Sequence, residues 1–275
     1  RGVIKNSSAN SQGGSAGISL IGEAGHIGGS YHELVKNYGI PPGVPGRSSD
    51  DGSEQEAIRI AINQRRYDMN GLWITPWEFL PIIEAKLGYI DYSHDEKNQG
   101  MPLTKLKNKV WESRLELNHQ HGSWLNGIFG LQWQDRNFSP SGPQTFTAPS
   151  NIDSLGFFVT ETLMLADHVS LEMGARLDHQ TTKPKNNELT IPGVSAPLQL
   201  PDRFRHRTYS LAAGLNYGMF SGGELYLNWQ RAQRAPDVQE LVSSGPQFAT
   251  RTFVLGRIDL DEEQTDHFEL GVNIT

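Results

Sequence analysis

Long runs of strict period-two alternation constrain this chain more than any other feature. From Val169 to Asp178, Val169, Leu171, Met173, Ala175 and Leu177 hold one set of positions; Ser170, Glu172, Gly174, Arg176 and Asp178 hold the other. Successive strand side chains point to opposite faces, so the pattern is a strand with one apolar and one polar face. Tyr209, Leu211, Ala213, Leu215 and Tyr217 alternate in the same way with Thr208, Ser210, Ala212, Gly214 and Asn216. Phe268, Leu270, Val272 and Ile274 do so with His267, Glu269, Gly271 and Asn273. Shorter alternations run through Ile58, Ile60 and Ile62, through Ile83, Ala85, Leu87 and Tyr89, and through Leu115 and Leu117 opposite Arg114, Glu116 and Asn118. The spacing predicts about eleven strands, at roughly 16–22, 26–35, 56–73, 81–93, 106–118, 124–137, 154–165, 169–180, 206–217, 224–233 and 266–275. Helical periodicity is absent, and the Ser-, Gly- and Asn-rich residues 1–15 read as loop.

The connections predict the architecture. Short ones at 23–25, 76–80, 119–123, 166–168 and 218–223 alternate with long polar ones at 36–55, 94–105, 138–153, 181–205 and 234–265, so every long loop falls at one end of the sheet. Such asymmetry belongs to an outer-membrane β-barrel, with short periplasmic turns and long extracellular loops. Strands of ten to fifteen residues exceed the five or six usual in soluble sheets. A mean hydropathy of −0.49 and the lack of an apolar stretch near ~18 residues exclude a helical membrane protein. A barrel escapes that exclusion because every second residue faces a polar lumen. With 24 basic against 31 acidic residues and no long Lys/Arg run, the chain is not built to neutralise phosphates, which excludes nucleic acid as a partner. The absence of cysteine removes disulfides and thiolate metal sites.

Aromatic side chains fall into two belts. Trp73, Trp77 and Phe79, then Trp124, then Tyr217 and Phe220 flank short turns, while Tyr89, Trp111, Trp133 and Trp229 sit farther up their strands. On the polar face, Glu172 with Arg176, Glu112 with Arg114 and Glu116, and Arg59 with Gln64 would be costly in a dry core and cost little in a wet lumen. The expected fold is therefore all-β, an antiparallel transmembrane β-barrel. A passive porin or a soluble β-rich adhesin or lectin could be built from similar strands.

Motifs narrow the choice. Gln230-Arg231-Ala232-Gln233-Arg234-Ala235-Pro236-Asp237-Val238-Gln239-Glu240-Leu241 is followed by Gly245 to Phe253, then by Gly256, Leu260, Glu263 and Glu269-Leu270-Gly271. This series resembles that of TonB-dependent outer-membrane receptors. Gly17 to Pro41, Asp91-Tyr92-Ser93-His94-Asp95-Glu96-Lys97 and Arg114 to Gln120 are similar to the zinc-receptor branch. The resemblance implies a barrel of about 22 strands with a plugged lumen. It also implies energy supplied through a TonB box, and location in the outer membrane with its lipid as partner. Residues 1–275 then form a partial barrel domain, a middle segment of about eleven strands without plug or TonB box, because an odd run does not close a bacterial barrel.

The same resemblance implies uptake of a scarce nutrient, zinc or a metal chelate such as a siderophore, without covalent chemistry. The His-rich loop of the zinc branch is replaced by Ser48-Ser49-Asp50-Asp51-Gly52-Ser53, and its later His-bearing stretch by Val242 to Gln247. What remains for a metal is His94, Asp95 and Glu96, expected at the start of a long outer loop, where imidazole and carboxylates suit Zn²⁺ as transported ligand. Asp237, Gln239, Glu240 and Gln247 in the motif-rich loop are the candidate ligand contacts. His119 and His121 have ligand-like spacing but fall at a periplasmic turn. Gly13-Gly14-Ser15-Ala16-Gly17 matches a nucleophile elbow only in form, because a strand follows it rather than a helix. Asp261-Glu262-Glu263 reads as a solvated acidic run, and the chain carries no P-loop, dinucleotide fingerprint or HExxH.

Overall fold

The computed structural model describes residues 4–41, 58–191, 195–220, 222–247 and 252–274. Its strands are β1 (Ala9–Gly22), β2 (Gly25–Gly39), β3 (Ile58–Ile74), β4 (Ile82–Asn98), β5 (Met101–His121), β6 (Leu125–Ser141), β7 (Ser150–Ala166) and β8 (Val169–Pro184). They continue as β9 (Glu188–Leu189), β10 (Leu198–Gln199), β11 (Phe204–Phe220), β12 (Gly223–Arg234), β13 (Ser244–Gln247), β14 (Thr252–Leu255) and β15 (Glu263–Ile274), with one short helix, α1 (Val238–Val242). Eleven of them form a single antiparallel sheet in the order β1-β2-β3-β4-β5-β6-β7-β8-β11-β12-β15. Each strand in it pairs only with its neighbours in that order, and β9/β10 and β13/β14 are small hairpins lodged in two of the connections.

Two registered rows show how alternation builds the wall. Ala85, Leu115, Leu131, Phe157, Leu177 and Tyr209 stand side by side across six strands. One residue along, Lys86, Arg114, Gln132, Gly156, Asp178 and Thr208 stand side by side on the other face. The first face is apolar and open, with Leu177 64% and Leu270 70% exposed. An apolar surface of this extent calls for a covering partner, lipid or protein. Rings pair across strands along its upper margin, Tyr31 to Tyr67, Tyr67 to Tyr89 and Tyr89 to Trp111 at 5.0, 6.2 and 4.7 Å. Trp73, Trp77 and Phe79 cluster at the lower turn, as an interfacial belt requires.

Three expectations need correction. Residues 9–15 are strand, not loop: β1 pairs with β2 from Ala9 to Gly22. Its Ser and Gly residues carry no apolar signal, and the partner's hydrogen bonds make it a strand. Residues 94–105 are not a long loop either, since β4 and β5 run on to a tight turn at Gln99 and Gly100, with φ of 49° and 86°. Two adjacent positive φ values suit the right-handed twist of a hairpin. The 21 residues of β5 then span roughly 70 Å at about 3.4 Å per residue. Thirdly, Ile58, Ile60 and Ile62 lie on the inner face with Gln64, paired with Asn98, Glu96, His94 and Tyr92, whereas Arg59 points outward to Ser8 at 3.0 Å.

The inner face turns apolar at its upper end because the long connections fold back onto it. Phe138, Ala148, Ile152, Leu189, Leu200, Phe204, Val238, Leu241 and Val242 form one buried cluster there. Most of the connection after β2, including the expected Ser48–Ser53 stretch, lies outside the described residues.

Candidate functional site

The mouth, at the loop end of the sheet, is built from the inner face of the upper strand ends and the segment between β12 and β15. Asp237 caps α1: its carboxylate accepts the Gln239 N–H at 3.0 Å, and its own N–H donates to the Glu240 carboxylate at 2.7 Å. The Asp-x-x-Glu spacing of Asp237 and Glu240 is the sequence pattern of such a reciprocal box. One turn of helix then turns Val238, Leu241 and Val242 into the cluster. Gly256 closes over it, donating its N–H to the Ser243 carbonyl at 2.7 Å. A Cβ at Gly256 would lie 2.8 Å from the Leu241 carbonyl carbon, so this approach needs glycine.

Two arginines fasten the turn. Arg136 of β6 donates to Asp237 at 3.0 Å, across 101 residues of chain. Arg234 grips both oxygens of Glu240 at 2.9 and 3.0 Å and also bonds Glu263 at 2.7 Å. The Arg234 guanidinium, and after it the Asp237 N–H, hold the Glu240 carboxyl below the usual carboxylate range. Asp237 and Glu240 are therefore occupied in fixing the loop. Gln239 is half-buried at the first turn of α1, and Gln247 stands on β13 opposite Thr252. Sequence reasoning missed Arg136, and no local signal could have found it.

The structure divides the expected metal trio. His94 and Glu96 face inward, His94 Nε2 3.5 Å from Glu96 and Nδ1 3.3 Å from the Tyr92 hydroxyl. Asp95 faces outward to Lys105 at 3.1 Å. Three consecutive strand residues cannot converge, because the middle one always opposes its neighbours. Among the described residues no group of three or more His, Asp or Glu side chains is placed to hold a metal ion. His119 and His121 belong to the last rungs of β5. His119 bonds Glu161 at 3.0 Å and stacks on Phe129, while His121 sets its edge against Trp124.

Below the mouth, the inner wall carries a ladder of compensated charges. Arg66 bridges Asp68 and Glu112 at 2.8 and 2.9 Å, Lys86 bonds Glu84 at 3.0 Å, and Arg114 bonds Glu116 at 2.6 Å. Arg66, Asp68, Lys86, Glu112 and Arg114 line a concavity of about 520 Å³ with Ser30 and Gly88. Phe158 lies flat over Gly130 with the Arg114 guanidinium 4.3 Å from its ring, and Arg176 approaches the same ring at 5.8 Å. Such a wall is polar, charged and internally satisfied, as a lumen requires.

A barrel wall with a charged inner face, an apolar outer face and loops folded into the mouth fits one family model, TonB dependent receptor-like, beta-barrel, over residues 26–275. The chain belongs to the TonB-dependent receptor β-barrel family. These barrels lie in the outer membrane, where the exposed apolar face meets lipid. Three solved structures share the fold. The copper transporter OprC superimposes with a TM-score of 0.78 at 15% identity, over 98% of this chain and 44% of that one. The FrpB iron transporter from Neisseria meningitidis gives 0.72 at 11%, over 99% and 44%. The hemophore receptor HasR from Serratia marcescens, in complex with its hemophore HasA and heme, gives 0.67 at 12%, over 99% and 52%. The chain thus spans about half the length of the solved receptors it matches.

Proposed function

We propose that this chain is half of the barrel wall of an outer-membrane receptor that imports a scarce metal-containing nutrient, driven through TonB by a region outside residues 1–275. The carrying observation is the packed mouth: Leu241 and Val242 are fully buried on the inner wall at the loop end. Loops packed on the inner wall at the mouth give a receptor a preformed surface on which to meet its ligand. Strands β1 and β15 each leave one edge unpaired among the described residues. In lipid those edges require further strands, giving an even-numbered barrel of about 22 with a plug.

The cargo reading is a metal chelate that brings its own ligands. His94 and Glu96 supply one nitrogen and one carboxylate, and Zn²⁺ is ordinarily held by four ligands, with three from protein even in open sites. Gln239 and Gln247 would contribute neutral polar contacts suited to a chelate. A zinc ion bound directly would need partners from the plug or other loops, and that is the second reading. Growth of a strain carrying the full-length receptor separates them. Under zinc limitation, His94→Ala should leave growth unchanged if the cargo is a chelate. Loss of zinc-limited growth in that variant alone overturns the chelate, and retention of all metal uptake after gene deletion overturns the receptor.

A further inference from the structure

Arg203 and the upper end of β11 that follows it read Arg203-Phe204-Arg205-His206-Arg207-Thr208-Tyr209, with Phe204, His206 and Thr208 buried on the inner side and the three arginines exposed. Arg205 and Arg207 share the outer face with Tyr209 and Leu211. Arg207 and Arg205 therefore stand where the apolar outer surface ends, two and four residues above Tyr209, and the exposed Arg203 follows just beyond them. Every other described arginine has a side-chain partner, a carboxylate or, for Arg59, Asn6 and Ser8. Arg203, Arg205 and Arg207 have none among the described residues. On β8, His179 and Thr181 stand opposite Arg207 and Arg205, and Asp153 beyond them is bound by Lys183 at 3.6 Å.

Resting on the barrel reading above, we infer that Arg203, Arg205 and Arg207 form an outward-facing clamp for the phosphates of an anionic lipid in the outer leaflet. Guanidinium groups bind phosphate in bidentate fashion. Alternate strand residues lie roughly 7 Å apart, so two arginines can hold two phosphates of one headgroup. The position at the edge of the aromatic belt selects a lipid headgroup over a soluble phosphate, since acyl chains of the same molecule can lie on Leu177 and Leu211. The clamp would set the height and rotation of the barrel in the membrane, leaving the mouth free for cargo.

The test uses the full-length receptor that contains this chain, inserted into phosphatidylcholine vesicles with and without lipid A, then re-extracted in detergent. Lipid A retained per receptor is measured by mass spectrometry. Wild type should retain it. The triple variant Arg203→Gln, Arg205→Gln, Arg207→Gln should lose on the order of a hundredfold in affinity, taking about fivefold per basic residue near an anionic surface. The triple Arg→Lys variant should keep most of the binding, and Arg257→Gln, whose partner is Asp259, should change nothing. Equal retention by wild type and the Gln triple, with both inserted, overturns the clamp alone. Displacement of lipid A by inorganic phosphate as effective as by excess lipid A overturns the choice of a lipid. Wild type that fails to insert at all overturns the barrel reading beneath it.

Discussion

Leu241→Ala is the sharpest test of the idea that the mouth is a cooperative unit packed against the inner wall. The Leu241 side chain is wholly buried, with no exposure, in the cluster that includes Phe138, Phe204 and Val238. Removing it forfeits about 2 kcal/mol of transfer free energy and leaves a cavity. Loop ends crossed by Arg136–Asp237 and by the Gly256 N–H bond to the Ser243 carbonyl cannot collapse to fill it. The expected cost is about 3 to 5 kcal/mol. The strand ladder does not depend on this residue, so the cost should fall on local opening rather than on global unfolding. Amide exchange of residues 238–242 in the full-length receptor should accelerate by roughly a hundredfold or more, at about 1.4 kcal/mol per factor of ten. Exchange in β7 and β8 should be unchanged. Leu241→Met, which conserves volume, should cost below about 1.5 kcal/mol. Unaltered exchange in α1 of the Ala variant would refute the packed mouth, and equal acceleration in β7 would refute its independence from the wall.

Residues on opposite faces of β5 should respond in opposite ways. Leu115→Arg on the lipid face should destabilise folding into vesicles by roughly 2 to 4 kcal/mol if it lies near the midplane, while Asn118→Ser on the lumen face should be mild, as read by denaturant titration. The mouth should loosen in acid. Because Glu240 titrates below its ordinary value of about 4.3, its contribution is fully present above that pH and is lost as pH falls through the lower folded value. Exchange in α1 after brief acid exposure reads this, and Glu240→Gln should abolish the pH dependence. Cysteines at Ser141 and Asn187 should react with an impermeant maleimide on intact cells and one at Ser123 should not; labelling of all three would mean that the strand direction is misassigned.

Much of the wall is written in local sequence. Alternation in β8, β11 and β15 requires only that neighbouring side chains oppose each other, so Leu171, Leu211 and Leu270 share a face with no knowledge of any partner. The eleven strands, the lipid face and the common side of the long loops follow from that. What alternation cannot tell is whether a polar or an apolar row faces inward at a given height. Ile58, Ile60 and Ile62 look like a lipid-facing row and are inner-face residues, since their register with Asn98, Glu96 and His94 of β4 sets their face. A Gly/Ser strand such as β1 is equally silent, since its partner's hydrogen bonds rather than its own side chains make it a strand. Tertiary structure alone decided the fate of the candidate site. Pairing with β3 and β5 carries β4 through residues 94–96, where strand alternation sets His94 and Asp95 on opposite faces, and Arg136 recruits Asp237 into the loop's own architecture. Both results depend on partners supplied by other strands, β3 and β5 for β4 and β6 for Asp237, and no single segment encodes them.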